Sequence, residues 1–135
     1  MPARAEDTVA EFLSLLDKEQ PDLARLMTYF SADARYLNRV RHAQPARGKG
    51  AIETELSGQF SRYRDCRCQI LTVASNGAQV FTERADTVTM RKDGRQVTVL
   101  VCAIFDIDLD DKITYWREYW DLADIEEQMK SALSA

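Results

Sequence analysis

The sequence predicts an α+β fold in which helices come first and a curved antiparallel sheet follows. Apolar residues recur at helical spacing in the first half of the chain. From Cys66 onward the pattern changes to long alternating stretches, and the gaps between them hold Gly, Asn and Asp, which tolerate hairpin geometry. A chain of 135 residues fits one domain, and a domain of that size removes roughly two-thirds of its unfolded surface from water.

Asp7 or Thr8 caps a first helix whose stripe is Val9, Phe12, Leu13 and Leu16. A second helix runs from about Pro21 to Phe30, with Leu23, Leu26, Met27 and Phe30 on one side. A short extended piece at Arg35 to Asn38 and a loop lead to a third helix, about Lys49 to Tyr63, carrying Ile52, Leu56 and Phe60. The strands are about Cys66 to Ala74, Val80 to Met90, Gln96 to Ile107 and Lys112 to Trp120. Ser75-Asn76-Gly77, Lys92-Asp93-Gly94 and Asp108 to Asp111 join them, which makes an antiparallel meander. Asp121 caps a terminal helix with the stripe Leu122, Ile125, Met129 and Leu133. Helices followed by strands give a layered architecture with the helices on one face of the sheet.

A net charge of −4 argues against a nucleic-acid partner, because phosphate neutralisation needs a surplus of Lys and Arg. The one basic stretch, Arg35, Arg39, Arg41, Arg47 and Lys49 around His42, reads as a solvated loop. No segment approaches the ~18 apolar residues of a membrane span, and the N-terminus lacks the pattern of a secretion signal, so the expected location is the cytoplasm, with no membrane partner. Cys66, Cys68 and Cys102 are an odd number and read as small buried thiols. With the only histidine far away, neither a disulfide framework nor a metal site is expected.

Two strands carry charges on a face that should be apolar. Side chains alternate along a strand, so Val80, Thr82, Arg84, Asp86, Val88 and Met90 share one face, apolar at its ends and charged at its centre. In the last strand Glu118 lies between Trp116 and Trp120. A buried carboxylate must take a proton or find a cation, and Arg84 is the available partner for Asp86 and Glu118 together. Paired acids in different settings can divide into proton donor and proton acceptor. Tyr36 and Asn38 share a face and offer a hydroxyl and an amide to a water molecule. A purely structural ion network is the competing explanation, and for Asp121 a helix cap suffices.

Thr82-Glu83-Arg84-Ala85-Asp86 followed by Trp116-Arg117-Glu118-Tyr119-Trp120-Asp121-Leu122, with Tyr36-Leu37-Asn38 upstream, resembles the limonene-1,2-epoxide hydrolase family. That family lies in the nuclear transport factor 2-like superfamily, so the resemblance implies a cone whose strongly bent sheet and helices enclose a deep apolar pocket. It also implies a homodimer that uses no cofactor and acts on a small apolar epoxide and water. The roles it implies are Asp86 as general acid, Glu118 as base where the family normally carries Asp, Arg84 as bridge, and Tyr36 with Asn38 as holders of the water. Met27, Leu37, Val88 and Trp116 are the expected pocket walls. The superfamily also contains isomerases, cyclases and non-catalytic binding modules, and these stay open as alternatives.

Overall fold

The computed structural model describes residues 2–39 and 44–134; Arg41 and His42 of the basic stretch lie outside the described residues, as does the side chain of Leu133. The first helix, α1, spans Pro2–Ser14. It starts ahead of the expected cap because Pro is tolerated in a first helical turn and Ala5 already contributes to the core. α2 is only Leu23–Met27, capped by Asp22, whose Oδ1 accepts from the Arg25 amide at 3.1 Å. It ends early because the chain is drawn into a strand, β1 (Phe30–Leu37), which the Ile113 amide anchors by donating to the Tyr29 carbonyl at 2.7 Å.

A short β2 (Ala46–Arg47) and α3 (Lys49–Arg62) follow. The basic stretch is therefore structured in part. Arg35 and Arg47 are partners across the β1–β2 pair, and the Arg35 guanidinium lies 4.0 Å over the Tyr115 ring. Next come β3 (Tyr63–Asn76), β4 (Gln79–Met90), β5 (Gln96–Ile107), β6 (Ile113–Trp120) and α4 (Leu122–Ser134). The expected meander is present, with turns at Gly77 (φ 61°) and Gly94 (φ 74°), and Asp121 caps α4 through the Ala123 amide at 2.9 Å.

The sheet order is β2-β1-β6-β5-β4-β3. Its one parallel pairing, β1 with β6, completes an otherwise antiparallel sheet and has no local signal in the sequence. Register shifts between Arg64 and Arg67 and between Ile70 and Thr72 in β3 add the local twist that curves the sheet. α1 packs on β3 and β4, and α3 packs on β1 and β3, so the helices fill the concave side.

The core centres on Trp116. Its ring stacks on Tyr36 at 4.1 Å between centroids and on Phe105 at 5.6 Å, with Phe12 edge-on at 5.1 Å. At the far end β5 outruns β6, and α4 covers the free edge. There the Gln128 side chain donates to the Thr98 carbonyl at 2.8 Å and accepts from the Thr98 amide at 3.3 Å, standing in for a strand neighbour.

Candidate active site

The alternation expected for β4 is realised: Val80, Thr82, Arg84, Asp86 and Val88 are buried while Phe81 and Glu83 face outward. Arg84, only 1% exposed, is the hub of the charged centre. Its Nε donates to Asp86 Oδ1 at 3.0 Å and its Nη2 to Asp86 Oδ2 at 2.8 Å. The same Nη2 donates to Glu118 Oε2 at 2.7 Å, and Nη1 donates to the Thr82 hydroxyl at 3.1 Å. The reach from β4 to β6 crosses β5 at Ala103, which the ladders place between Thr82 and Glu118. A methyl is small enough to leave the guanidinium room; every other inward residue of β5 is Val, Ile or Phe.

Burial lowers the tendency of Arg84 to hold its proton, but Glu118 and Asp86 overcome this, and its pKa lies well above the ordinary value. Burial pushes the Glu118 carboxyl up from 4.5, and Arg84 pulls it back only in part because Asp86 adds a second negative charge. Glu118 Oε2 also accepts from Trp116 Nε1 at 2.9 Å. Oε1 has no hydrogen-bond partner among the described residues, and no buried side-chain polar atom is left unpaired, so Oε1 is the oxygen open to the cavity.

Beside these acids runs a chain of neutral hydrogen bonds that the sequence reading missed. Tyr63 donates to Gln59 Oε1 at 2.8 Å, Gln59 Nε2 donates to the Tyr36 hydroxyl at 3.0 Å, and Tyr36 donates to Asn38 Oδ1 at 3.0 Å. Gln59 is buried on α3, where a polar residue next to Phe60 on the inward side was its only sequence signal. Burial raises the pKa of Tyr36 and of Tyr63 well above 10.0, so both hydroxyls keep their protons. Asn38 Nδ2 is left without a partner among the described residues.

Both acids and part of the neutral chain meet a cavity of about 300 Å³. Asn38, Gln59, Arg62, Tyr63, Asp86 and Glu118 supply its polar wall. Val88, Val97, Val99, Val101 and Trp120 make the apolar wall, and Ile125 and Met129 of α4 cover it. Of the four expected wall residues only Val88 lines this cavity. Met27 is taken into the core by the shortened α2, and Trp116 is sealed among Tyr36, Phe105 and Phe12. Leu37 points the other way, into a recess that shares Asn38, Arg62 and Trp120 with the cavity. The thiols also differ from expectation: Cys66 is buried, Cys68 half-buried and Cys102 exposed on the outer face. Cys66 Sγ, Cys68 Sγ and an Asp86 oxygen lie within 4.8 Å of one another.

A family model described as the limonene-1,2-epoxide hydrolase catalytic domain matches residues 3–131. The chain belongs to the limonene-1,2-epoxide hydrolase family. Epoxide hydrolase EphG of Mycobacterium tuberculosis is 37% identical over 57 residues, 42% of this chain and 36% of that protein, so the aligned part spans little more than a third of the relative. The structure of an M. tuberculosis LEH-like epoxide hydrolase superposes with a TM-score of 0.80 at 28% identity, covering 99% of this chain and 95% of the other. A SnoaL-like polyketide cyclase from Shewanella denitrificans shares the fold at a TM-score of 0.82 and 12% identity, covering 94% of this chain and 97% of that one. Of the five residues that carry the resemblance, Asn38, Asp86 and Glu118 line the cavity, while Tyr36 and Arg84 stand behind them, hydrogen-bonded to Asn38 and to the two acids.

Proposed function

We propose that this protein adds water to a small apolar epoxide, giving a vicinal diol by one-step acid/base catalysis. The observation that carries the reading is the Arg84 fork, which ties Asp86 and Glu118 together at the polar wall of a cavity whose other wall is apolar. In the proposed reaction Glu118 Oε1 takes a proton from a water whose oxygen accepts from Asn38 Nδ2. The water oxygen attacks one ring carbon, that carbon's bond to the epoxide oxygen breaks, and Asp86 protonates the departing oxygen. Coupling attack to protonation avoids a free alkoxide, so ring opening needs no covalent intermediate.

The neutral proton network supports this assignment. Because Tyr36 accepts from Gln59 and donates to Asn38, the Asn38 carbonyl is occupied and its amide N–H is left to hold the water. The division of roles, with Glu118 taking the water proton and Asp86 protonating the ring oxygen, follows the positions the two acids hold in the family resemblance. The working form is proposed to be a homodimer, with Phe81, Leu100 and Tyr119 on the outward sheet face as its contact. Among the described residues no helix is long and apolar enough to cross a membrane.

The test is diol formation from limonene oxide, cyclohexene oxide and styrene oxide by the parent, Asp86→Asn and Glu118→Gln. Turnover by the parent and its loss in both variants is the expected result. Proton exchange into a ketone without water addition, and no diol from any epoxide, would replace this reading with an isomerase.

A further inference from the structure

Cys66 and Cys68 take no part in the acid/base chemistry, yet they stand against one of its acids. Two positions apart on β3, they share its inward face, and Cys68 is the ladder partner of Asp86 on β4. We propose that Cys66, Cys68 and Asp86 form a binding site for a thiophilic divalent cation of the zinc class, with the fourth coordination position open to the cavity.

Three features fit. First, two thiolates about 2.3 Å from a tetrahedral zinc stand ~3.8 Å apart. The Cys66 and Cys68 sulfurs are 3.8 Å apart, and the Asp86 oxygen lies within 4.8 Å of both, so small side-chain movements suffice for binding. Second, Arg84 does not exhaust Asp86. It occupies one direction on each carboxylate oxygen, and each oxygen has a second lone pair. Third, charge balances: two thiol protons leave for solvent as a dication enters, so the buried cluster of Arg84, Asp86 and Glu118 keeps the same net charge. Cys66 and Asp86 both line the cavity, which supplies water for the remaining position.

A cation on Asp86, with water at its open position, fills the part of the cavity wall where the epoxide oxygen would have to meet Asp86. Bound cation therefore blocks that reaction, a consequence that rests on the proposed function, whereas the binding itself does not.

The experiment titrates the reduced full-length chain with Cd²⁺, reading the thiolate-to-cadmium charge-transfer absorption, and then with Zn²⁺ in competition. We expect one ion per chain. Cys66→Ser and Cys68→Ser, checked for folding by circular dichroism, should each weaken binding by more than the roughly 10–100-fold that loss of an outer partner costs. X-ray absorption on the zinc-loaded parent should count two sulfurs at about 2.3 Å, a readout that stands even if a serine variant misfolds. Absence of the charge-transfer band, fewer than two sulfurs, or unchanged binding in either folded variant overturns the site. Binding of zinc with these properties but without inhibition of diol formation upholds the site and removes Asp86 as the acid.

Discussion

Glu118 sits where burial and its neighbours pull in opposite directions. Removal from water raises its pKa above 4.5, and Arg84 offsets only part of that shift. The folded chain therefore binds this proton more tightly than the unfolded chain does. The resulting contribution to stability is complete below the ordinary carboxylate value and is lost as pH rises through the raised one. Catalysis by an ionised Glu118 has the opposite sign. We expect kcat/KM for epoxide opening to fall on the acid side with a midpoint above 4.5, while Glu118's share of thermal stability declines upward through the same window. Parallel pH profiles of rate and Tm check this; an acid limb at or below the ordinary carboxylate value would rule it out.

Gln59 belongs to the same scale. It touches no reacting atom in the proposed mechanism, but both ends of its amide are used, and together they set which way the Tyr36 proton points. It is a positioning residue. Gln59→Leu keeps the volume and deletes both bonds. We expect kcat to drop about 10–10²-fold with KM little changed, since misplacing the water matters more than binding the apolar substrate. Stability should fall by about 1–3 kcal/mol, because the Tyr63 hydroxyl loses its acceptor and Tyr36 keeps only its bond to Asn38. A loss confined to KM would show that Gln59 shapes the cavity and does not orient the water holders.

At the scale of elements, β5 acts as a spacer. It separates the two acid-bearing strands, and the small inward side chain of Ala103 allows the guanidinium to span it. Ala103→Leu would fill that space and part Arg84 from Glu118, leaving a buried carboxylate without its cation. The expected cost is about 3–5 kcal/mol in denaturant unfolding, together with loss of diol formation. Ala103→Gly keeps the gap and should cost only about 1 kcal/mol. Equal destabilisation by the two variants would mean that Ala103 matters for strand packing and not for the bridge. α4 serves the element above it: Gln128 pairs with the β5 edge while Ile125 and Met129 close the cavity over the acids.

For the whole molecule, the sheet has two unlike faces. The concave face holds the core and the cavity, and the convex face leaves Leu100 66% exposed, with Phe81 and Tyr119 also exposed on the neighbouring strands. Contiguous exposed apolar area of this kind marks an interaction surface. If it is the proposed dimer contact, Leu100→Asp should turn a dimer into a monomer in light scattering without changing the circular dichroism spectrum. A monomeric parent at all concentrations would leave the face without a second copy of the chain as its occupant.

Sequence alone determined the order of elements, the meander, the α4 cap at Asp121 and the charged faces of β4 and β6, because period-two alternation and turn residues are local properties. From the same alternation came the link of Arg84 to both acids, since a buried ion demands a partner and few were on offer. Only the tertiary structure decided the rest. α2 stops short because Phe30 is needed beside Ile113, a pairing 83 residues away in the chain that no local propensity encodes. Met27 and Trp116 look like pocket walls in one dimension and are core in three, because a cavity is the space that packing leaves. Gln59 and the Cys66–Cys68–Asp86 cluster were invisible for the same reason: each joins separate elements, and only the assembled sheet and helix layer brings them within bonding distance.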